Sequence, residues 1–84
     1  MYVEFLGIPR VRTGVPEVEV EAATLGQLLG TLAAQFPSLS DLIPAGALHP
    51  SIAANLNGDV FVTDPTTPLG KDDRLLILSA DAGG

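Results

Sequence analysis

The last four residues of this 84-residue chain, Asp81-Ala82-Gly83-Gly84, carry its clearest chemical signal. Glycine makes up about 7% of average usage, so two terminal glycines occur by chance in roughly one chain in two hundred. Because glycine has no Cβ, a backbone ending this way can approach a bound molecule closely and adopt unusual dihedral angles. Any chemistry at this terminus would involve the carboxylate of Gly84.

The other residues that could do chemistry are isolated. The sequence contains no cysteine, so it has no disulfide, Cys-based zinc site or thiol nucleophile. His49 is the sole histidine and precedes a proline in an expected loop, so we predict no metal site. Asp72 and Asp73 stand in a polar turn beside Lys71, which favours solvated carboxylates over a catalytic pair. We therefore expect no catalytic side chain.

Composition argues for a single folded domain that binds neither nucleic acid nor membrane. The chain is 46% hydrophobic and carries a formal charge of -6 with four Lys and Arg residues, so phosphate backbones would repel it. No basic and apolar targeting segment opens the sequence, and no apolar run reaches the roughly 20 residues of a membrane span. The predicted compartment is the cytoplasm.

The alternation of apolar and polar residues predicts a β-hairpin at the N-terminus. Residues 1–8 form a strand with Val3 and Phe5 on one face, and residues 17–21 form a second strand with its glutamates in water. Prolines and glycine punctuate residues 9–16, which we expect to be a loop.

A helix is predicted over residues 24–36. Thr24 and Gln27 have the spacing of a capping box, and Pro37 ends the helix. The apolar side chains fall on one stripe, which must pack on the sheet: Leu25, Leu28, Leu29, Leu32, Ala33 and Phe36.

The second half of the chain predicts three more strands, at residues 52–56, 60–62 and 74–78. Asn57-Gly58 is a strong signal for a type I′ hairpin turn, because both residues tolerate positive φ. Residues 38–50 are less regular, with one apolar helical turn expected around Leu42.

This order of elements is the β-grasp arrangement, an α+β fold. We expect a mixed sheet of four to five strands with one main helix packed on one face. The last strand lies beside the first, in parallel, at the centre of the sheet, where its two apolar rows are buried. The domain spans residues 1–79, and residues 80–84 form a flexible tail.

A single helix covers one face of the sheet and leaves the other open. We expect Leu6, Val60, Leu76 and Leu78 to form an apolar contact surface on that open face, close to the tail. The alternative is that residues 38–50 fold over this face.

The whole chain also resembles the sulfur-carrier family typified by ThiS and MoaD, which shares the ubiquitin fold. Four pieces carry the resemblance: the helix over 24–36 with the proline that follows it, the strand-turn Leu56-Asn57-Gly58, residues 67–75 and the Ala82-Gly83-Gly84 ending.

The resemblance implies a mechanism that uses partner enzymes. An E1-like enzyme adenylates the Gly84 carboxylate with ATP and magnesium, and a sulfur donor displaces AMP to leave a thiocarboxylate. Asp81, Ala82 and Gly83 thread into the partner, and a synthase subunit accepts the sulfur. The carrier itself holds no stable cofactor. Molybdopterin, thiamine thiazole and cysteine biosynthesis all remain open as the destination.

Two other functions remain open. A ubiquitin-like modifier would join Gly84 to lysines of other proteins, although Asp81 and Ala82 stand where ubiquitin-type tails often carry arginine. A β-grasp interaction module would keep its function without Gly84.

Overall fold

The computed structural model describes residues 1–80, which form five strands, two α-helices and two 3₁₀ turns. In chain order these are β1 (Tyr2–Phe5), α1 (Ile8–Thr13), β2 (Glu17–Glu19), α2 (Leu25–Gln35), the 3₁₀ turns Pro37–Leu39 and Pro44–Gly46, β3 (Ile52–Leu56), β4 (Val60–Phe61) and β5 (Arg74–Ser79).

One mixed sheet contains all five strands, in the order β2-β1-β5-β3-β4. β5 pairs in parallel with β1 and antiparallel with β3, and it is therefore the central strand. Leu75 and Ile77 of β5 are fully buried, as expected for a strand with neighbours on both sides. The prediction of an α+β, β-grasp fold is confirmed.

The register places one row of apolar residues across the helix-facing side of the sheet. Each residue of this row is paired with the next one on the adjacent strand. In the spatial order from β2 to β4 the row consists of Val18, Val3, Leu75, Leu56 and Val60. Side chains alternate between faces along a strand, so this row fixes the face of every other strand residue. The expectation that Val60 lies on the open face is wrong, because Val60 shares the row of Leu56.

Helix α2 packs over the middle of this apolar row, where Val3 and Leu75 are fully buried, while Val60 at its end is 49% exposed. The Thr24 hydroxyl accepts a hydrogen bond from the Gln27 amide (3.3 Å), and the Gln27 side chain accepts one from the Ala23 amide (3.0 Å). These bonds satisfy amides that have no partner within the helix, as a capping box does. The four leucines of the predicted apolar stripe are buried, and Ala33 and Phe36 are partly buried against the same core. Phe36 packs edge-on against Phe5 at 5.8 Å between ring centroids.

Residues 9–16 were expected to be a loop, but most of them belong to the short helix α1. Pro9 lies in the first turn of this helix, where backbone amides have no hydrogen-bond partner within the helix. The missing N–H of proline therefore costs no hydrogen bond there. Gly14 ends the helix in the left-handed conformation, at φ 74°, and its amide donates to the Arg10 carbonyl. Arg12 binds both carboxylate oxygens of Asp41, at 2.6 and 3.2 Å, which ties α1 to a distant segment.

The irregular segment 38–50 lies on the helix side of the sheet. Leu39, Leu42 and Ile43 are buried in the same core as α2. The alternative that this segment covers the open face is therefore wrong. Among residues 1–80, the longest helix is α2 with 11 residues, and no helix is long and apolar enough to span a bilayer.

Candidate functional site: the root of the C-terminal tail and the open face

The predicted reaction site, Gly84, and its neighbours Asp81, Ala82 and Gly83 lie outside the described residues. The structure does describe the point from which they extend. β5 ends at Ser79, in the centre of the sheet, and the next amide, that of Ala80, donates to the Ser51 carbonyl at 2.8 Å. The last four residues therefore follow a strand that is held on both sides.

Gly7 and Ser79 make a close contact at this root. The Ser79 hydroxyl accepts a hydrogen bond from the Ile8 amide at 2.7 Å, and Ser79 is buried. A Cβ built on Gly7 would lie 2.3 Å from that hydroxyl oxygen, well inside van der Waals contact. Gly7 also has φ 67° and ψ -137°, a conformation that side chains other than glycine rarely adopt. Only glycine fits beside the end of β5.

A second row of residues crosses the open face of the sheet. Each residue of this row is paired with the next one on the adjacent strand. From β2 to β4 the row consists of Glu17, Glu4, Leu76, Asn55 and Phe61. This row is charged at the β2 end and apolar at the β4 end.

The predicted contact residues differ in accessibility. Leu6, which follows β1 directly, is 51% exposed, and Leu76 is half-buried in the outward row. Leu78 also has outward parity but is only 7% exposed. Phe61, absent from the predicted set, is 57% exposed and lies in the same row as Leu76. We call the accessible residues Leu6, Phe61 and Leu76 the open-face cluster.

Phe61 could be found from the sequence only through the hairpin register. The Asn57-Gly58 turn is confirmed, with φ 59° and 70°, and the Asp59 amide donates to the Leu56 carbonyl at 3.0 Å. Val60-Phe61-Val62 is apolar throughout, so composition does not reveal which residues face outwards. The pairing of Phe61 with Asn55 decides it.

The charged end of the open face is organised by Arg74. Its guanidinium binds Glu4 at 2.9 Å and Glu17 at 3.0 Å, and it lies 5.1 Å from the centre of the Tyr2 ring. The hydrogen bond with Glu4 is the main cause that raises the pKa of Arg74 above its ordinary value. These exposed pairs add little stability, but they give the face a fixed charge pattern beside the apolar cluster.

Asn57 joins the hairpin to the turn before β5. Its side chain donates to Asp73 at 3.0 Å and accepts from the Arg74 amide at 2.9 Å. Asp73 also accepts from the Gly70 amide at 2.7 Å. The two motif segments that the family resemblance singled out thus contact each other, and their polar residues hold the start of β5.

Replacing Asp73 by Asn should weaken this turn in a pH-dependent way. The Gly70 amide, followed by the Asn57 side chain, lowers the pKa of Asp73 below its ordinary value. A lowered pKa in the folded state means that Asp73 stabilises the fold fully above pH about 4, the unfolded value, and progressively less as the pH falls through the folded pKa. We expect Asp73→Asn to lower Tm by a few degrees at pH 7, with the difference from wild type shrinking below pH about 4.

Thermal denaturation at several pH values measures this difference. Asp72→Asn is the matched control, since no hydrogen bond within residues 1–80 engages the Asp72 carboxylate. A Tm difference for Asp73→Asn that stays constant from pH 7 to pH 3 would contradict the assignment.

The described residues offer little for metal or side-chain catalysis. Within residues 1–80, no group of three or more His, Asp or Glu side chains is arranged to hold a metal ion. His49 bonds its own loop, with Nδ1 2.8 Å from the Ser51 hydroxyl. The arrangement provides a central strand that leads into the terminal residues, beside an open sheet face with an apolar part and a charged part.

Comparison with known proteins identifies the family. The ThiS family profile matches residues 3–84. No curated protein matches the chain.

Several solved structures share the fold over almost their whole length. The crystal structure of SAMP1 from Haloferax volcanii superposes with a TM-score of 0.81 at 22% identity, covering 99% of this chain and 97% of that one. The solution structure of small archaeal modifier protein 1 from Methanosarcina acetivorans gives 0.79 at 23% identity, covering 99% and 94%. A chain in the BexX/CysO complex from Amycolatopsis orientalis gives 0.78 at 27% identity, covering 99% and 98%.

The fold, the helix cap, the Asn57 hairpin and the profile match agree. Carriers of this type are substrates of partner enzymes and are not enzymes themselves. The chain belongs to the ThiS family of ubiquitin-like sulfur carriers.

Proposed function

We propose that this protein carries sulfur as a thiocarboxylate on Gly84. The observation that supports this most directly is the family match, which runs through the terminal Gly83-Gly84. An E1-like enzyme activates the Gly84 carboxylate with ATP and magnesium, forming an acyl-adenylate and releasing pyrophosphate. A sulfur donor then attacks the acyl carbon, AMP leaves, and the thiocarboxylate remains.

The chain's own part in this reaction is to present its terminus. The Ser51–Ala80 hydrogen bond and the Gly7–Ser79 contact hold the end of β5 in place. Gly83 and Gly84 have no side chains that would obstruct a narrow channel to a bound nucleotide. The open-face cluster, with the Arg74 charges beside it, is the surface that the activating enzyme contacts.

The sulfur acceptor is a second partner, a synthase subunit that uses the same terminus. The matched structure of a BexX/CysO complex supports the general idea of a carrier bound to a partner enzyme. Molybdopterin, thiamine thiazole and cysteine biosynthesis remain the candidate pathways, and the cytoplasm is the compartment where we expect them.

Modification of other proteins is the second candidate. The small archaeal modifier proteins share this fold, and their names record that role. Both functions begin with adenylation of Gly84 and differ in the nucleophile that follows: a sulfur donor in one case, a lysine of another protein in the other.

Intact mass measurement distinguishes the candidates. The protein is co-expressed with an adenylating enzyme from its own source in cells with active sulfur metabolism. We expect a mass shift that equals replacement of one oxygen by sulfur, mapped to the last peptide and absent from a chain that lacks Gly84. An unchanged mass with branched peptides on lysines of other proteins would favour the modifier. Partner binding that survives loss of Gly84, with neither product formed, would favour an interaction module.

A further inference from the structure

The chain contains two primary amines, and only one of them is accessible. Lys71 is the sole lysine in the sequence. The other amine is that of Met1, a residue that is 4% exposed and whose amino group donates to the buried Val20 carbonyl at 2.9 Å. An amine must reach an acyl carbon to attack it, so the Met1 amine is excluded unless the β1–β2 end opens. Lys71 is the one amine that an acyl donor can reach.

Lys71 stands exposed on a turn whose backbone is held in place. The Gly70 amide donates to the Asp73 carboxylate at 2.7 Å, and the Asp73 amide donates to the Gly70 carbonyl at 3.1 Å. The three ion pairs found within residues 1–80 do not include Lys71. The turn therefore fixes the position of the lysine without occupying its ammonium group.

A depression of about 500 Å³ opens beside this lysine. Its walls are mostly apolar, and they are formed by Met1, Glu21, Ala22, Ala23, Leu69, Gly70 and Lys71. The main-chain groups of Glu21 and Ala22 make no hydrogen bond within residues 1–80. An extended backbone with small side chains could pair with those groups and occupy part of the depression. The Ala82-Gly83-Gly84 segment of another copy has this composition.

Lys71 and the last residue of β5, Ser79, lie towards opposite ends of that strand. Lys71 precedes β5 and Ser79 ends it, so the six-residue strand separates the two ends by roughly 17 Å. A group attached to Lys71 therefore leaves the root of the tail free.

We propose that Lys71 is the acceptor through which one copy of this protein becomes acylated by the activated Gly84 of another. This inference rests on the proposed adenylation of Gly84 by an ATP-dependent enzyme. The Lys71 Nζ attacks the acyl carbon of the adenylate and forms an amide bond. The ammonium group first loses one proton to water, which frees the lone pair that attacks. The bond from the acyl carbon to the phosphate oxygen then breaks, AMP leaves with the electron pair, a second proton passes to water, and the third stays on the amide nitrogen. The product is a pair of copies joined by one defined linkage, and its own Lys71 and Gly84 can extend it.

The test is activation of the purified full-length chain by the adenylating enzyme with ATP and magnesium, without a sulfur donor. We expect a species with twice the chain mass less one water, and a branched peptide at Lys71. Lys71→Arg keeps the charge and should reduce this species at least tenfold. Exchange of pyrophosphate into ATP is measured in the same samples and reports activation of Gly84 independently.

A matched control moves the lysine without changing the count of lysines or charges. Arg10 is exposed on α1, so the double variant Lys71→Arg/Arg10→Lys still has one accessible amine but none beside the depression. It should form at least tenfold less linked product than wild type. Equal linkage in the swapped variant would overturn the role of the depression and of Lys71.

The outcomes separate the two proposals. Normal pyrophosphate exchange without linked product, or with linkage that persists in Lys71→Arg, overturns the Lys71 inference and leaves activation of Gly84 intact. Absence of exchange with an enzyme that is active on another carrier overturns the proposed function and the inference with it. Acetylation with an N-hydroxysuccinimide ester checks accessibility directly: Lys71 should react at least tenfold faster than the Met1 amine, and equal rates would contradict the argument.

Discussion

Gly7→Ala should destabilise the protein by roughly 3 kcal/mol, through about 1–3 kcal/mol of backbone strain and a similar cost of overpacking. The new Cβ would lie 2.3 Å from the Ser79 hydroxyl oxygen and 3.0 Å from its Cβ. Rotating the hydroxyl away would break its bond with the Ile8 amide and would not relieve the second contact. Because small domains have only about 5–15 kcal/mol of stability, Tm should fall by about 10 °C or more.

Gly14→Ala is the matched control for this prediction. Gly14 also has positive φ, 74°, but a Cβ there would meet no atom within 4 Å. Gly14→Ala should lower the free energy of unfolding by only about 1 kcal/mol, which is the cost of placing alanine in the left-handed conformation. Chemical denaturation of both variants measures the difference. If Gly7→Ala and Gly14→Ala lose equal stability, the contact with Ser79 does not explain the need for glycine at position 7.

Leu6→Asp should impair activation by the adenylating enzyme about tenfold or more, which corresponds to about 1.4 kcal/mol of binding free energy. Leu6 is 51% exposed at the edge of the open-face cluster, so a charge there disrupts an apolar contact with a partner. The fold should survive, because substitutions at exposed positions usually change stability by less than about 0.5 kcal/mol. The effect should fall mainly on KM for the carrier, measured by pyrophosphate release at increasing carrier concentration.

Two further variants make this result interpretable. Val11→Asp places the same charge at an 81% exposed position on α1, outside the sheet, and should be activated like wild type. Leu78→Asp should differ from both of these variants by destabilising the fold. Leu78 is 7% exposed, so burying a carboxylate there should lower the free energy of unfolding by roughly 2–4 kcal/mol. Normal activation of Leu6→Asp would show that the enzyme does not use the open face. A wild-type Tm for Leu78→Asp would show instead that this side chain is free to serve as a contact residue.

The sequence pattern determined the elements whose stabilising contacts are local. The Thr24–Gln27 cap, the stripe of α2 and the positive φ of Asn57-Gly58 depend on residues within a few positions of one another. The central position of β5 in the sheet was predictable because its side chains are apolar on both faces of the strand. The terminal Gly83-Gly84, a property of the chain itself, led to the proposed chemistry, which stays a prediction.

Only the tertiary structure decided the features that depend on distant pairs. Helix α1 has six residues, too few for a stable isolated helix, and the Ser79 hydroxyl and the Arg12–Asp41 pair hold it from far along the chain. Strand register placed Val60 towards the helix and Phe61 outwards, since a shift of one residue reverses both faces. The burial of the Met1 amine likewise depends on its contact with Val20, 19 residues away. Spacing in the sequence carries no record of such pairs, because the fold brings them together only after the sheet and its register have formed.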